Sequence, residues 1–195
     1  MKEKRTKKGK SRLLLPSDYC VVDIETTGLT PSDCEIIEIA AVRYRDFKKA
    51  DSFVTFVKPV NGIPLFISEL TGISSDMVAD APDISKAILD FYDFVGEDIL
   101  VGYNVCFDVN FLYDALLGCH GIYLYNDYVD VLRFTRKALP DFERRTQTRV
   151  ASYYGVSVKG AHRADVDCEI CNAIYQKMRQ EPSIIEWTRE KSCVK

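Results

Sequence analysis

An α/β domain is predicted, a mixed five-stranded sheet with three antiparallel strands first and helices on both faces. Two observations carry this. Residues 19–57 hold three short runs of strand character separated only by short loops, a β-meander. After residue 82 the pattern changes to alternating helical stripes and a buried strand, the signature of helices covering a sheet.

The first strand spans 19–25 and the second 35–44, Glu-Ile-Ile-Glu-Ile-Ala-Ala-Val-Arg-Tyr; the third spans 51–57. Pro59 and Pro64 punctuate the chain before the segment Ile67 to Ser74. Pro82 stands at a helix start, and Ile84, Ala87, Ile88, Phe91 and Val95 follow at helical spacing until Gly96 ends the helix. Residues 98–103 read as a buried strand. Asn104 is placed to cap a helix from about Cys106 to Leu117, stopped by Gly118 and Gly121. Further helices fit 128–138, 144–154 and 164–180, with Gly155 and Gly160 framing the loop before the last.

The chain has 195 residues, 47% hydrophobic and 28% charged, which suits one well-buried domain. No run is long and apolar enough for a membrane span, and the Lys-rich N-terminus has no apolar signal region, so an intracellular, cytoplasmic protein is expected. Seven scattered cysteines (Cys20, Cys34, Cys106, Cys119, Cys168, Cys171, Cys193) do not form a disulfide framework. Cys168 and Cys171 read as core residues on one helix face, since no second Cys/His pair completes a zinc site. Residues 1–12 carry seven basic residues and one acid, leaving 19 basic against 28 acidic for the rest, net −9. Residues 1–14 therefore read as a basic disordered leader, whether phosphate-binding or merely solubilising, 15–181 as the domain, and 182–195 as a tail or the end of the last helix.

Asp23 and Glu25 alternate along the first strand and leave the same face of the sheet. Two like charges side by side at the end of a buried strand call for a cation between them, and oxygen-only donors suit Mg²⁺ or Mn²⁺. Two further clusters hold acids: Asp108 in Gly-Tyr-Asn-Val-Cys-Phe-Asp, and His162 with Asp167 in His-Arg-Ala-Asp-Val-Asp. With these three motifs in this order, and Leu-Thr-Gly-Ile at 70–73, residues 18–178 resemble the DnaQ-like 3′→5′ exonucleases, a group of ribonuclease H-like fold that includes the proofreading exonuclease of bacterial DNA polymerase III. His162 stands five residues before Asp167, as in the His-containing (DEDDh) subclass.

The resemblance implies that Asp23, Glu25, Asp108 and Asp167 hold two divalent ions and that His162 is the general base. It places the 3′-terminal nucleotide near Thr26, Thr27, Gly28 and Leu29, and near Leu70, Thr71, Asn104 and Phe107. Phosphodiester hydrolysis needs an activated water, neutralised phosphate oxygens and a stabilised leaving oxygen, and a pair of metal ions serves both attacking and leaving oxygens. His162 acts as a base only when neutral, so activity is expected to fall in acid.

The expected function is removal of nucleoside 5′-monophosphates from the 3′ ends of single-stranded or frayed DNA, as a stand-alone enzyme or in partnership with a DNA polymerase subunit. RNA 3′ ends are the alternative substrate, since nothing in the sequence reads the 2′-hydroxyl. A catalytically idle nucleic-acid-binding or polymerase-scaffold module predicts lost acids, and none is lost. The acidic body also opposes phosphate affinity without metal.

Overall fold

The computed structural model describes residues 5–192, so residues 1–4 of the basic leader and residues 193–195, with Cys193, lie outside it. Six strands form one sheet: β1 (Ser11–Arg12), β2 (Tyr19–Thr26), β3 (Ile36–Arg45), β4 (Lys48–Phe56), β5 (Leu100–Gly102) and β6 (Tyr128–Asp130), in the spatial order β1-β6-β5-β2-β3-β4. β2, β3 and β4 are antiparallel neighbours; β5 joins β2, and β6 joins β5, in parallel. The parallel half needs crossover connections, supplied by α2 (Ile84–Val95) and α3 (Cys106–His120). α1 (Leu65–Thr71), α4 (Val131–Ala138), α5 (Gln147–Tyr153), α6 (Ala164–Met178) and α7 (Pro182–Ser192) complete the chain.

Strand periodicity divides the core into two layers. Cys20, Val22 and Ile24 of β2 pack beneath α2 and α3 with Phe91, Val95, Leu112 and Leu116. Tyr19 and Val21 face the opposite way, into a second layer with Phe134 of α4 and Cys168, Cys171, Ile174 and Tyr175 of α6. Asp23 and Glu25 continue this second parity, so both acids emerge on the face that α6 covers. The two cysteines predicted to be core residues are buried there.

Four differences from the sequence reading have local causes. The sheet has six strands rather than five, because Ser11 and Arg12 pair in parallel with Tyr128 and Val129. A two-residue exposed strand carries no hydrophobic alternation, and its existence depends on the partner edge. Residues 5–12 are accordingly strapped to the body: Arg5 makes a bidentate ion pair with Asp114, Lys8 Nζ donates to Asn110 Oδ1 and Arg12 pairs with Asp127. Residues 128–130, read as the first turn of a helix, form β6, and Asp130 then caps α4 by accepting from Leu132 N–H. α3 runs through Gly118 to His120 and ends at Gly121 in the left-handed conformation. Asn104 is not a side-chain cap; it adopts φ +60°, and its N–H donates to Asp130 Oδ1 at 2.9 Å.

Gly102 terminates β5 against Val22 of β2, where a Cβ would lie 2.9 Å from Val22 O and 2.6 Å from Val105 Cγ2. Gly102→Ala is therefore expected to cost about 1–3 kcal/mol in denaturant unfolding, as overpacked core sites do. A loss below about 0.5 kcal/mol would show that β5 shifts freely.

Candidate active site

β5 is only three residues long, and its pairing with β2 ends at Val21. Beyond that point the β5-side edge of β2 is open, and the first turn of α3 fills it: Ile24 N–H donates to Asp108 Oδ1 at 3.1 Å. Asp108 is thus brought from the opposite layer to the end of β2. From the other side comes Asp167, in the first turn of α6. Oxygens of Asp23, Glu25 and Asp167 lie within 4.8 Å of one another, the group among the described residues able to hold a metal ion. All donors there are carboxylate oxygens, which fits a hard divalent cation and suits a thiophilic one poorly.

These acids line a cleft of about 270 Å³ together with Asp108, His162, Tyr103, Asn104, Phe107, Thr146, Gln147 and Thr148. All five predicted catalytic positions therefore converge. An apolar-walled cavity of about 250 Å³ between the Pro31–Ile36 loop and α3 shares no residue with it and holds no metal-binding group.

Asp167 is held by both oxygens. Its Oδ2 accepts from His162 N–H at 2.7 Å, and its Oδ1 accepts from Gln147 Nε2 at 2.8 Å. The first of these bonds depends on an unusual backbone, with His162 at φ +73° and Gly160 at φ +84°. This left-handed histidine turns its N–H back onto α6.

The start of α6 is fixed by a residue that sequence reasoning passed over. Glu38 of β3 is fully buried, forms a bidentate pair with Arg163 (Nη2 to Oε1 2.7 Å) and accepts from Ala164 N–H at 3.0 Å. The α6 N-terminus is thus capped from the sheet rather than by its own preceding residue. Glu38 also stands directly opposite Glu25 in the β2–β3 register, a like-charge pair that Arg163 offsets.

Electrostatics follow from this crowding. Desolvation, reinforced by Asp108, Asp167, Glu25 and Glu38, pushes Asp23 well up. Desolvation, with Asp167 and Glu38, raises Glu25 to about 7, against the lowering effect of Arg163. Asp108 and Asp167 are also raised by burial, opposed by the N–H groups that they accept from. The protons belong to the cluster as a unit. An acid raised in the folded state binds its proton more tightly there than in the unfolded chain. Its contribution is therefore favourable at low pH and is lost as pH rises, for Glu25 from about 4.5 through about 7. The metal-free protein is expected to lose up to about 3 kcal/mol from this group between mildly acidic and mildly alkaline buffer. Mg²⁺ should restore it; thermal melts in EDTA and in Mg²⁺ across that range check this, and a metal-free Tm that rises with pH would contradict it.

The predicted substrate-contacting residues separate. Asn104 and Phe107 line the cleft; Thr26, Thr27, Gly28, Leu29, Leu70 and Thr71 are not among its lining residues. Thr71 is buried, its hydroxyl donating to Ile67 O and accepting from Ile73 N–H. Thr26 Oγ1 donates to Gly28 O, and Thr27 Oγ1 accepts from Glu35 N–H, so both hydroxyls shape the loop. The close approach at Gly28 is internal, since a Cβ would lie 2.6 Å from Cys34 Sγ. Leu29 and Leu70 are exposed, at 83% and 53%. Gln147 and Tyr103 were not anticipated; a lone acid within the apolar run Ile36-Ile-Glu-Ile-Ala40 was the available signal for Glu38.

Residues 20–175 match the RNase_T exonuclease family model. The chain is 39% identical over 171 residues to a PolC-type DNA polymerase III from Clostridium perfringens, covering 86% of this chain but 12% of that protein. It is 32% identical over 168 residues to a DNA polymerase III subunit epsilon from Aquifex aeolicus, covering 86% and 83% respectively. The chain thus spans about an eighth of the length of the PolC-type relatives. Among solved structures, exonuclease I superposes with a TM-score of 0.74 at 20% identity, over 88% of this chain and 43% of that one. Exonuclease X with 5′-overhanging duplex DNA superposes at 0.68 and 24% identity, over 83% and 90%.

Proposed function

The chain belongs to the DnaQ-like exonuclease family, and from that premise we propose that it removes nucleoside 5′-monophosphates from the 3′ ends of single-stranded or frayed DNA, in association with a DNA polymerase. The observation that carries the chemistry is the convergence of acids from β2, α3 and α6 on one cleft with His162.

Asp23, Glu25, Asp108 and Asp167 would hold two divalent cations, Mg²⁺ or Mn²⁺, which supply charge neutralisation at the phosphate oxygens and leaving group. His162 takes the proton of the attacking water; the new bond forms at phosphorus as the bond to the 3′-oxygen of the penultimate nucleotide breaks, and that oxygen ends protonated. Gln147 and the His162 N–H fix the Asp167 carboxylate, so the acids need not reorganise when substrate arrives. Phe107, partly exposed at the cleft, offers a ring face to the terminal base. The choice of DNA, and of a polymerase partner, is supported by the polymerase III relatives and by exonuclease I, which was solved with a dA16 oligonucleotide.

The test is incubation of 5′-labelled oligodeoxynucleotide, and of the matched RNA, with Mg²⁺, Mn²⁺ or EDTA. A metal-dependent ladder shortening from the 3′ end of DNA is expected, faster at a mismatched primer terminus than at a paired one. Strong RNA preference would overturn the substrate assignment, and indifference to mismatch would remove the proofreading role.

A further inference from the structure

A cleft walled by four carboxylates repels the strand it is to cleave, and the chain as a whole carries net −3. Cations must therefore guide the strand from somewhere. Among the described residues of the N-terminal leader, Arg5 and Arg12 are ion-paired, Lys8 is hydrogen-bonded and Lys7 sits over the Tyr123 ring; Lys10 is exposed with no side-chain partner, and none of these residues lines the cleft.

Positive charge is concentrated elsewhere. Residues 131–163 hold eight Lys/Arg against two acids, net +6, while the remainder of the chain is net −9. This segment also supplies four of the residues lining the cleft, Thr146, Gln147, Thr148 and His162. Within it Arg145 braces a loop by donating to Leu139 O, and Arg163 is committed to Glu38. Arg144, Arg149 and Lys159 are exposed and make no side-chain hydrogen bond or ion pair among the described residues. Each lies within three residues of a cleft-lining position. On α5, moreover, Thr146, Arg149 and Tyr153 stand at i, i+3 and i+7, one ridge leading away from the cleft. Tyr153 is 58% exposed, with its ring held edge-on by Phe142 and Tyr154.

We propose that Arg144, Arg149 and Lys159, with Tyr153 as a base platform, form a track that holds the phosphates of the single strand upstream of the cleaved bond. Spaced free cations beside an exposed aromatic ring are what a sequence-tolerant single-strand site requires. The track makes the protein prefer strands of several nucleotides over dinucleotides, which reach only the cleft. This rests on the exonuclease reading.

The test compares wild type, R144Q/R149Q/K159Q and Y153A. Hydrolysis of a DNA dinucleotide and a dodecanucleotide is measured in Mg²⁺, and dodecanucleotide binding by fluorescence anisotropy in Ca²⁺ from low to physiological salt. In the triple variant the dodecanucleotide Kd should rise about tenfold or more, and the slope of log K against log salt should shrink by about 2, from roughly 0.7 per phosphate contact on single strands. Y153A should weaken binding about tenfold without changing the slope. Dinucleotide turnover should remain unchanged in both. Unchanged dodecanucleotide binding, or an equal loss on the dinucleotide, would overturn the track. If wild type hydrolyses neither substrate but dodecanucleotide binding still responds to the triple substitution, the exonuclease reading fails and the track stands.

Discussion

Asp23→Asn is expected to abolish metal-dependent hydrolysis and, in the same protein, to raise the Tm measured without metal. Loss of the metal-ion contribution removes several kcal/mol of transition-state stabilisation, so turnover should fall about a thousandfold or more. The stability gain has a separate origin. Asp23 is pushed up by desolvation and by Asp108, Asp167, Glu25 and Glu38, so its charged form is unfavourable when nothing offsets it. An amide of nearly the same shape removes that charge and relieves Glu25 beside it. At mildly alkaline pH in EDTA the variant should melt above wild type; as pH falls and Asp23 takes up its proton, the difference should shrink toward zero. Retained activity would sink the assignment of Asp23. A variant that melts below wild type at high pH would show that packing, and not charge, governs this position.

Arg163→Met is the second large effect. It leaves Glu38, fully buried in β3, without its bidentate partner and facing Glu25 across the β2–β3 ladder. Removing one partner of a buried pair strands the other charge, a loss of about 3 kcal/mol. The double variant E38Q/R163M should recover most of this, because the amide that replaces the Glu38 carboxylate carries no charge and can still accept from Ala164 N–H, the bond that caps α6. A denaturant double-mutant cycle reads this as a coupling of at least about 1 kcal/mol. Additive losses would mean that the pair has no role in seating α6.

Of the five predicted catalytic positions, which the structure brings to one cleft, Asp23 and Glu25 were legible from the strand period, and Asp108, His162 and Asp167 through the resemblance carried by the three motifs in order. Asp23 and Glu25 share a face through the two-residue period of β2, and Asp108 and Asp167 each sit in the first turn of a helix whose stripe the sequence shows. Residues whose environment is assembled only by distant chain were not legible. Gln147 differs from any exposed glutamine only because α5 lies beside Asp167, and Glu38 gains its meaning from a guanidinium 125 positions away. β1 exists through the edge of β6, and no alternation in Ser11–Arg12 announces it. Thr26, Thr27 and Thr71 could be placed in the correct segments, but where their hydroxyls point depends on the loops at Glu35 and Ile73.

The open edge that short β5 leaves on β2 also sets an order in time. It is filled by Asp108, and the remaining wall of the cleft arrives with Asp167, which is seated only once α5 and α6 have docked. Of the cleft acids, synthesis delivers the β2 pair first and Asp167 of α6 last. A growing chain therefore exposes a bare, mutually repelling acid pair long before the cleft is complete. Nuclease activity is therefore expected only once the domain is nearly whole, since a partly made chain lacks the Asp167 wall of the cleft.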